Sequence, residues 1–342
     1  MKIYVIGHPT SHGGANTELW HTLKLWRRYG VEVTVVPTWS TNKEQRQQLA
    51  EIGCKILPLR PRNPNTFYLP DDSLVVSFCS PSFVDLSRQI RNCRLIYVRC
   101  MCYWDDPLDR QTIDRDGPFD AYVCQSHYQR QQLWPRLEAA GVTEERCPVI
   151  RGAFDTSEFP FLPSSHHNGD PFVIGRLSRR DPRKYPLKFW DIYAQMCPPV
   201  RARVMGWGPE VEKHIGRPPE WAETLGQCAE RSEDFIRSLH CMVHPVGEYM
   251  AENWPRVVLE AMACGVPVVT DRRGGTCEMI KHGRTGYLCG DPAEFAEYTL
   301  AMAENESLRL EIASRARTEL EEELADPEII WTAWKQLFTM LA

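Results

Sequence analysis

The sequence alternates short apolar runs with stretches of helical periodicity, and it does so twice. Ile3–Ile6 reads as a buried strand, Ala15–Tyr29 as a helix with Leu19, Leu23 and Trp26 on one face, and Val31–Val36 as the next strand after a helix-ending Gly30. Leu74–Phe78, Leu95–Val98 and Ala121–Cys124 continue the series. Strands separated by helices are joined by crossover connections, so this half predicts a parallel, doubly wound α/β sheet.

Between Asp155 and Pro171 the chain turns rich in Pro, Ser, His and Gly and loses its period, as an interdomain linker does. A second series follows. Phe172–Gly175, Arg203–Met205, Cys241–His244 and Val266–Thr270 read as strands, and Leu187–Met196, Arg256–Ala263, Pro292–Glu304 and Leu308–Glu323 as helices. We therefore expect a Rossmann-like domain over residues 1–156, a linker over 157–171 and a second Rossmann-like domain over 172–326. The last segment, 327–342, places Ile330, Trp334, Leu337 and Leu341 at helical spacing and is expected to pack back on one of the two. Two such domains put the expected active site in the cleft between them.

Composition agrees. A chain of 342 residues with 43% hydrophobic residues is long enough for two cores, which excludes disorder, collagen and coiled coil. With 40 basic against 45 acidic residues the net charge is −5, which argues against non-specific nucleic-acid binding. No apolar run approaches the roughly 18–20 residues that span a bilayer, and Met1-Lys2 leads directly into a strand, so the chain is expected to be cytoplasmic. The 13 cysteines are scattered and odd in number, as reduced thiols are; Cys100-x-Cys102 has no second pair to complete a zinc site.

Chemistry concentrates between Glu252 and Val269. Pro255 suits the first position of a helix, where its missing N–H costs nothing. The N–H groups of Arg256 and Val257, the positive end of the helix dipole and the Arg256 charge would together favour a diphosphate. Glu260 sits in the second turn among Val257, Val258, Leu259, Ala261, Met262 and Ala263. A carboxylate there needs a partner: ribose hydroxyls would serve, and so would solvent or an arginine.

Glu252-x7-Glu260 followed by Ala-Met-Ala-Cys-Gly-Val-Pro-Val-Val resembles the donor-site signature of the retaining, nucleotide-sugar-dependent GT-B glycosyltransferases of the family 4 type, the glycosyl transferases group 1. The resemblance runs over most of the chain. His12-Gly13-Gly14-Ala15 is similar to the family's glycine loop, Gly175-Arg176-Leu177 with Lys184 to its phosphate clamp, and Gly206-Trp207-Gly208-Pro209 to its Gly-x-Gly-Pro turn. Gly274-Gly275-x-x-Glu278 and Gly283-x-x-Gly286 match further segments. The resemblance implies a transferase that moves a sugar from a UDP-, GDP- or ADP-sugar to an acceptor hydroxyl without a metal or other cofactor. Glu252 would bind the donor sugar's hydroxyls and Glu260 the ribose, while Arg176 and Lys184 neutralise the leaving diphosphate, which itself takes the acceptor's proton. Two features depart from the pattern. Trp254-Pro255 stands where Phe-Gly is more common, and the Arg176-to-Lys184 spacing is long, with Arg179, Arg180 and Arg183 between, so Arg180 and Arg183 compete with Lys184 for the second phosphate.

The acceptor is less legible. His8 and His12 follow the first strand, where they would meet an acceptor hydroxyl or serve as ordinary loop residues. Arg99 falls where relatives often place an acceptor-side histidine, and Tyr103 and Trp104 begin an aromatic loop that suits stacking on a sugar, a lipid-linked glycan or a nucleobase. Glycan, lipid-linked and small-molecule acceptors all remain open, as does a modified base in nucleic acid. Asp105-Asp106 and Asp114-x-Asp116 would be the metal-binding alternative. An epimerase or hydrolase on the same fold, or a non-catalytic sugar-nucleotide or glycan binder, are the competing readings. A nicotinamide enzyme is disfavoured because His12-Gly13-Gly14 is not Gly-x-Gly-x-x-Gly.

Overall fold

The structure, a computed structural model, describes residues 1–10, 13–38, 41–57, 69–79, 92–102, 117–167, 169–197 and 200–342. They form two units. The first holds Met1–Phe154 together with Ala325–Ala342, and the second holds Asp155–Leu324.

In the first unit, β1 (Lys2–Gly7), β2 (Glu32–Pro37), β3 (Lys55–Ile56), β4 (Leu74–Phe78), β5 (Arg94–Val98) and β6 (Ala121–Val123) form one sheet of order β3-β2-β1-β4-β5-β6. Every pairing is parallel. Helix α1 (Gly14–Arg28) lays Leu19, Leu23 and Trp26 on Ile3, Val5, Val33 and Val35. The C-terminal helix Pro327–Leu341 adds Ile330, Trp334, Leu337, Phe338 and Leu341 to the same core. Trp26 meets Trp334 edge-on at 4.9 Å, and Tyr29 donates to Glu328 at 2.6 Å. On the opposite face of the sheet, Tyr4, Ile6, Val75 and Tyr97 cover Leu133 and Leu137 of α3 (His127–Ala139), which follows α2 (Lys43–Glu51). Both faces are buried, which is why these strands read as continuous apolar runs.

The second unit repeats the winding. Its strands β7 (Val173–Leu177), β8 (Arg201–Trp207), β9 (Ala222–Gly226), β10 (Cys241–His244), β11 (Val268–Asp271) and β12 (Tyr287–Cys289) order as β12-β11-β10-β7-β8-β9, again all parallel. The helices are α4 (Phe189–Ala194), α5 (Pro209–Ile215), α6 (Ser232–Arg237), α7 (Arg256–Cys264), α8 (Thr276–Met279), α9 (Pro292–Glu304) and α10 (Glu306–Glu319), and the C-terminal helix is then α11. The segment expected as a linker is fastened to this unit: Leu162 N donates to Cys264 O at 3.3 Å, and Arg309 to Ser164 O at 2.6 Å. The helix expected over Leu308–Glu323 ends its α-helical course at Glu319 and widens into a π turn, Leu320–Leu324. All 13 cysteines are free thiols. No helix among the described residues is long and apolar enough to cross a membrane.

Candidate functional site

In the second sheet the strand order reverses between β7 and β10, and ligands of open α/β sheets bind at the carboxyl ends of the strands that flank such a reversal. Arg176 lies near the end of β7 and His244 ends β10. The chain after β7 turns at Asp181, whose carboxylate accepts from Arg183 N at 3.1 Å and pairs with the Arg183 guanidinium at 2.9 Å. A short 3₁₀ turn, Pro182–Lys184, follows, and Lys184 reaches Glu252: its Nζ lies 2.7 Å from Oε1 and 2.8 Å from Oε2. Arg180 approaches Glu210 at 3.5 Å. Of the three cations that compete on spacing, Lys184 is therefore the one brought to Glu252.

Arg176 faces inward. Its side chain is fully buried, donates to the carbonyls of Pro245 and Lys184, the latter at 2.6 Å, and stacks on the Tyr185 ring at 4.7 Å. One guanidinium thus ties the loop after β7 to the loop after β10, and Gly247 N adds a bond to Lys184 O at 3.2 Å. The backbone of Glu252 is fixed from the other side, where Gly275 N donates to its carbonyl at 2.8 Å. A Cβ on Gly275 would sit 1.5 Å from Asn253 O, so the Gly274-Gly275 pair is required for this closure. Gly206 is at φ +103°, where a Cβ would lie 2.1 Å from Ser178 O; the Gly-x-Gly-Pro turn closes on the loop after β7 in the same way. Gly208 caps α5, with Pro209 opening that helix.

Lys184 and Glu252 are nearly dry, at 14% and 10% side-chain exposure. Burial alone would raise the Glu252 carboxyl, but the Lys184 ammonium outweighs it and holds the group well below the usual carboxylate range. His244 is buried, and burial together with the Arg176 charge lowers its pKa to about 4, so the ring is neutral near pH 7. Its Nε2 stands 4.0 Å from Glu252 Oε1, too far for a hydrogen bond.

Helix α7 begins at Arg256, and Pro255 stands at its N-cap with ψ 110°, one place before the first helical position expected for it. That ψ is extended, so the proline ends the incoming loop rather than opening the helix. Trp254 and Arg256 are buried, while Val257 and Glu260, three residues apart and so on one face, are each partly exposed. Burial raises the Glu260 carboxyl, and Arg256 opposes that shift.

In the first unit Gly13, at φ +86°, caps α1, and a Cβ on Gly14 would meet nothing within 4 Å. His8 follows β1, with its pKa lowered by partial burial. Arg99 is buried after β5, and its carbonyl accepts from Gln129 at 2.7 Å. His12, Tyr103 and Trp104 lie outside the described residues, as do both aspartate loops. Two buried groups were missed by sequence reasoning. Glu18 accepts from Gln125 and lies against Gly152, where a Cβ would be 2.6 Å from its carboxyl carbon; it sits about 100° around α1 from Leu19, off the apolar face, so no periodicity marked it. His244 was the other, an imidazole closing an otherwise apolar strand.

Residues 171–305, which run from the start of β7 through α9, match the glycosyl transferases group 1 family. The chain carries a group 1 glycosyltransferase domain. That domain contains Arg176, Lys184, His244, Glu252 and Glu260. The chain is 41% identical over 81 residues to N-acetyl-alpha-D-glucosaminyl L-malate synthase of Bacillus anthracis, a match spanning 23% of this chain and 21% of that protein. It is 28% identical over 206 residues to a GDP-mannose-dependent phosphatidylinositol monomannoside mannosyltransferase of Mycolicibacterium smegmatis, covering 53% of this chain and 52% of that one. In fold it resembles the Anabaena protein HepE, solved in complex with UDP-glucose, with a TM-score of 0.76 at 20% identity over 99% of this chain and 100% of that one. The fold is accordingly GT-B, two Rossmann-type units with a parallel six-stranded sheet each.

Proposed function

We propose that the chain is a glycosyltransferase that moves a sugar from a nucleoside-diphosphate sugar to an acceptor hydroxyl with retention at the anomeric carbon. The observation that carries this reading is the Lys184–Glu252 pair, a cation and a carboxylate 2.7 Å apart beside the switch point of a group 1 domain. A nucleotide sugar offers each of them a replacement partner. The diphosphate takes the ammonium, and the sugar's hydroxyls take the carboxylate.

The remaining roles follow from position. Glu260 and Val257 share the partly exposed stripe of α7, which suits Glu260 to ribose hydroxyls and the helix start to the diphosphate. Arg176 supports Lys184 by holding its carbonyl and adds a buried positive charge. As the bond between the anomeric carbon and the diphosphate oxygen breaks, charge grows on that oxygen, and Lys184 offsets it. The acceptor oxygen bonds to the same face of the sugar and passes its proton to the departing diphosphate. Positive charge supplied by side chains lets this proceed without a metal ion.

A screen of UDP-, GDP- and ADP-sugars for nucleotide release, with and without acceptor panels of glycans, lipid-linked sugars, small molecules and DNA, tests the reading. We expect acceptor-dependent release that survives EDTA and a product that keeps the donor's anomeric configuration by proton NMR. Release independent of any acceptor would favour a hydrolase, and an inverted product would overturn retention.

A further inference from the structure

His244 takes no part in the roles above. It is 1% exposed at the end of β10, and neither ring nitrogen has a hydrogen-bond partner among the described residues. Leaving a buried imidazole unbonded is unfavourable, so an orphaned ring this deep calls for a partner acquired in another state. Its backbone is fixed, because the His244 carbonyl accepts from Thr270 Oγ1 at 2.8 Å. The ring faces Glu252 at 4.0 Å, and burial, with the Arg176 and Lys184 charges beside it, keeps it neutral, so one ring nitrogen carries a hydrogen and the other a lone pair.

Both oxygens of Glu252 are occupied by Lys184. A diphosphate that draws Lys184 away would strand that carboxylate in a site with 10% exposure, where an unpaired charge is costly. His244 Nε2, about 1 Å beyond hydrogen-bond range, is placed to take over. We infer that His244 is a positioning residue: when the donor's diphosphate engages Lys184, the neutral imidazole donates its Nε2–H to Glu252 and holds the carboxylate toward the sugar. A neutral donor suits this exchange because it leaves Glu252 fully charged as an acceptor for hydroxyls. The inference rests on the nucleotide-sugar reading of the site.

Two variants and one spectroscopic measurement test it, beginning with a wild-type protein that transfers sugar. His244→Phe keeps the ring volume and removes the N–H, and His244→Gln keeps an N–H donor. His244→Phe should lower kcat on the order of tenfold while UDP and GDP affinities by calorimetry stay within about twofold, and His244→Gln should recover most of the loss. In ¹⁵N-histidine wild-type protein, saturation with the preferred nucleotide sugar should shift the His244 ring resonances as the new hydrogen bond forms. Equal losses in both variants, no loss in either, or an unmoved His244 resonance at saturation would overturn the inference. If the wild type binds neither nucleotide nor nucleotide sugar, the nucleotide-sugar reading itself fails, and His244 with it. Should His244→Phe fail to fold, the resonance and His244→Gln still decide.

Discussion

At the scale of single residues, the pair of Lys184 and Glu252 is costly to maintain without a ligand. A nearly dry ion pair does little for net stability, yet removing one partner strands the other. Lys184→Met should therefore destabilise the fold by about 3 kcal/mol, and the double variant Lys184→Met with Glu252→Leu should recover most of it without recovering transfer. Thermal melts of the three proteins beside a transfer assay check this; a double variant no more stable than the single would show that the pair was not the source. Glu260→Ala should weaken nucleoside-diphosphate binding by about 1–3 kcal/mol, the worth of a charge-assisted pair of hydrogen bonds, and unchanged affinity by calorimetry would remove Glu260 from the ribose. Arg176 differs in kind. Its guanidinium holds the Lys184 and Pro245 carbonyls, and if it serves the reaction by placing Lys184, its replacement by Met should lower kcat on the order of a hundredfold and KM much less; the opposite split would make it a ground-state binder.

At the scale of elements, the motif glycines divide into those the backbone needs and those it merely tolerates. Gly275→Ala drives a Cβ to 1.5 Å from Asn253 O and must push α8 away from Glu252, so loss of both stability and transfer is expected. Gly14 starts a helix with open space around it, so Gly14→Ala should stabilise by up to about 1 kcal/mol; if the glycine loop admits the diphosphate, transfer falls nonetheless. Melting temperature and turnover, measured together, separate the two classes. What was legible in the sequence has the same physical basis. Strands buried on both faces, β1, β2, β4, β5 and β10, announce themselves as apolar runs, whereas the edge strand β9, Ala-Glu-Thr-Leu-Gly, is half exposed and left no such run. The short α6, Ser-Glu-Asp-Phe-Ile-Arg, buries only Phe235 and Ile236 and was silent for the same reason. Glu252 and Lys184 stood out in the sequence because the residues around them resemble donor-site motifs, Glu252-x7-Glu260 and Gly175-Arg176 with a following lysine, although spacing alone left Arg180 and Arg183 beside Lys184. The inward turn of Arg176 depends on where two carbonyls from separate loops converge, and no spacing in the chain encodes that.

At the scale of the whole molecule, titration of the buried histidines sets the acid limit of stability. Burial together with the Arg176 charge lowers His244 to about 4, and burial together with Arg309 and His166 lowers His240 to about 4 as well. In the unfolded chain both would titrate near 6.5. Between those values the unfolded state binds protons that the fold does not, so stability is complete above pH 6.5 and declines as pH falls toward 4. Each histidine contributes a slope of about 1.4 kcal/mol per pH unit within that window. Glu252, with its carboxyl held low by Lys184, acts in the same direction further down: its contribution is present above the ordinary carboxylate pKa of 4.5 and is lost as pH falls below it. The melting temperature of the wild type should hold steady from pH 8 to 7 and then fall steepest between pH 6 and 4.5. His244→Phe has no proton to exclude at that position, so its melting curve should fall with about half the histidine-derived slope. Parallel pH profiles for the two proteins would mean that His244 takes up its proton at the same pH in the fold as in the unfolded chain, so that below pH 6.5 a cationic ring would stand beside Arg176 and Lys184 in place of the neutral donor that Glu252 needs once Lys184 has turned to the diphosphate.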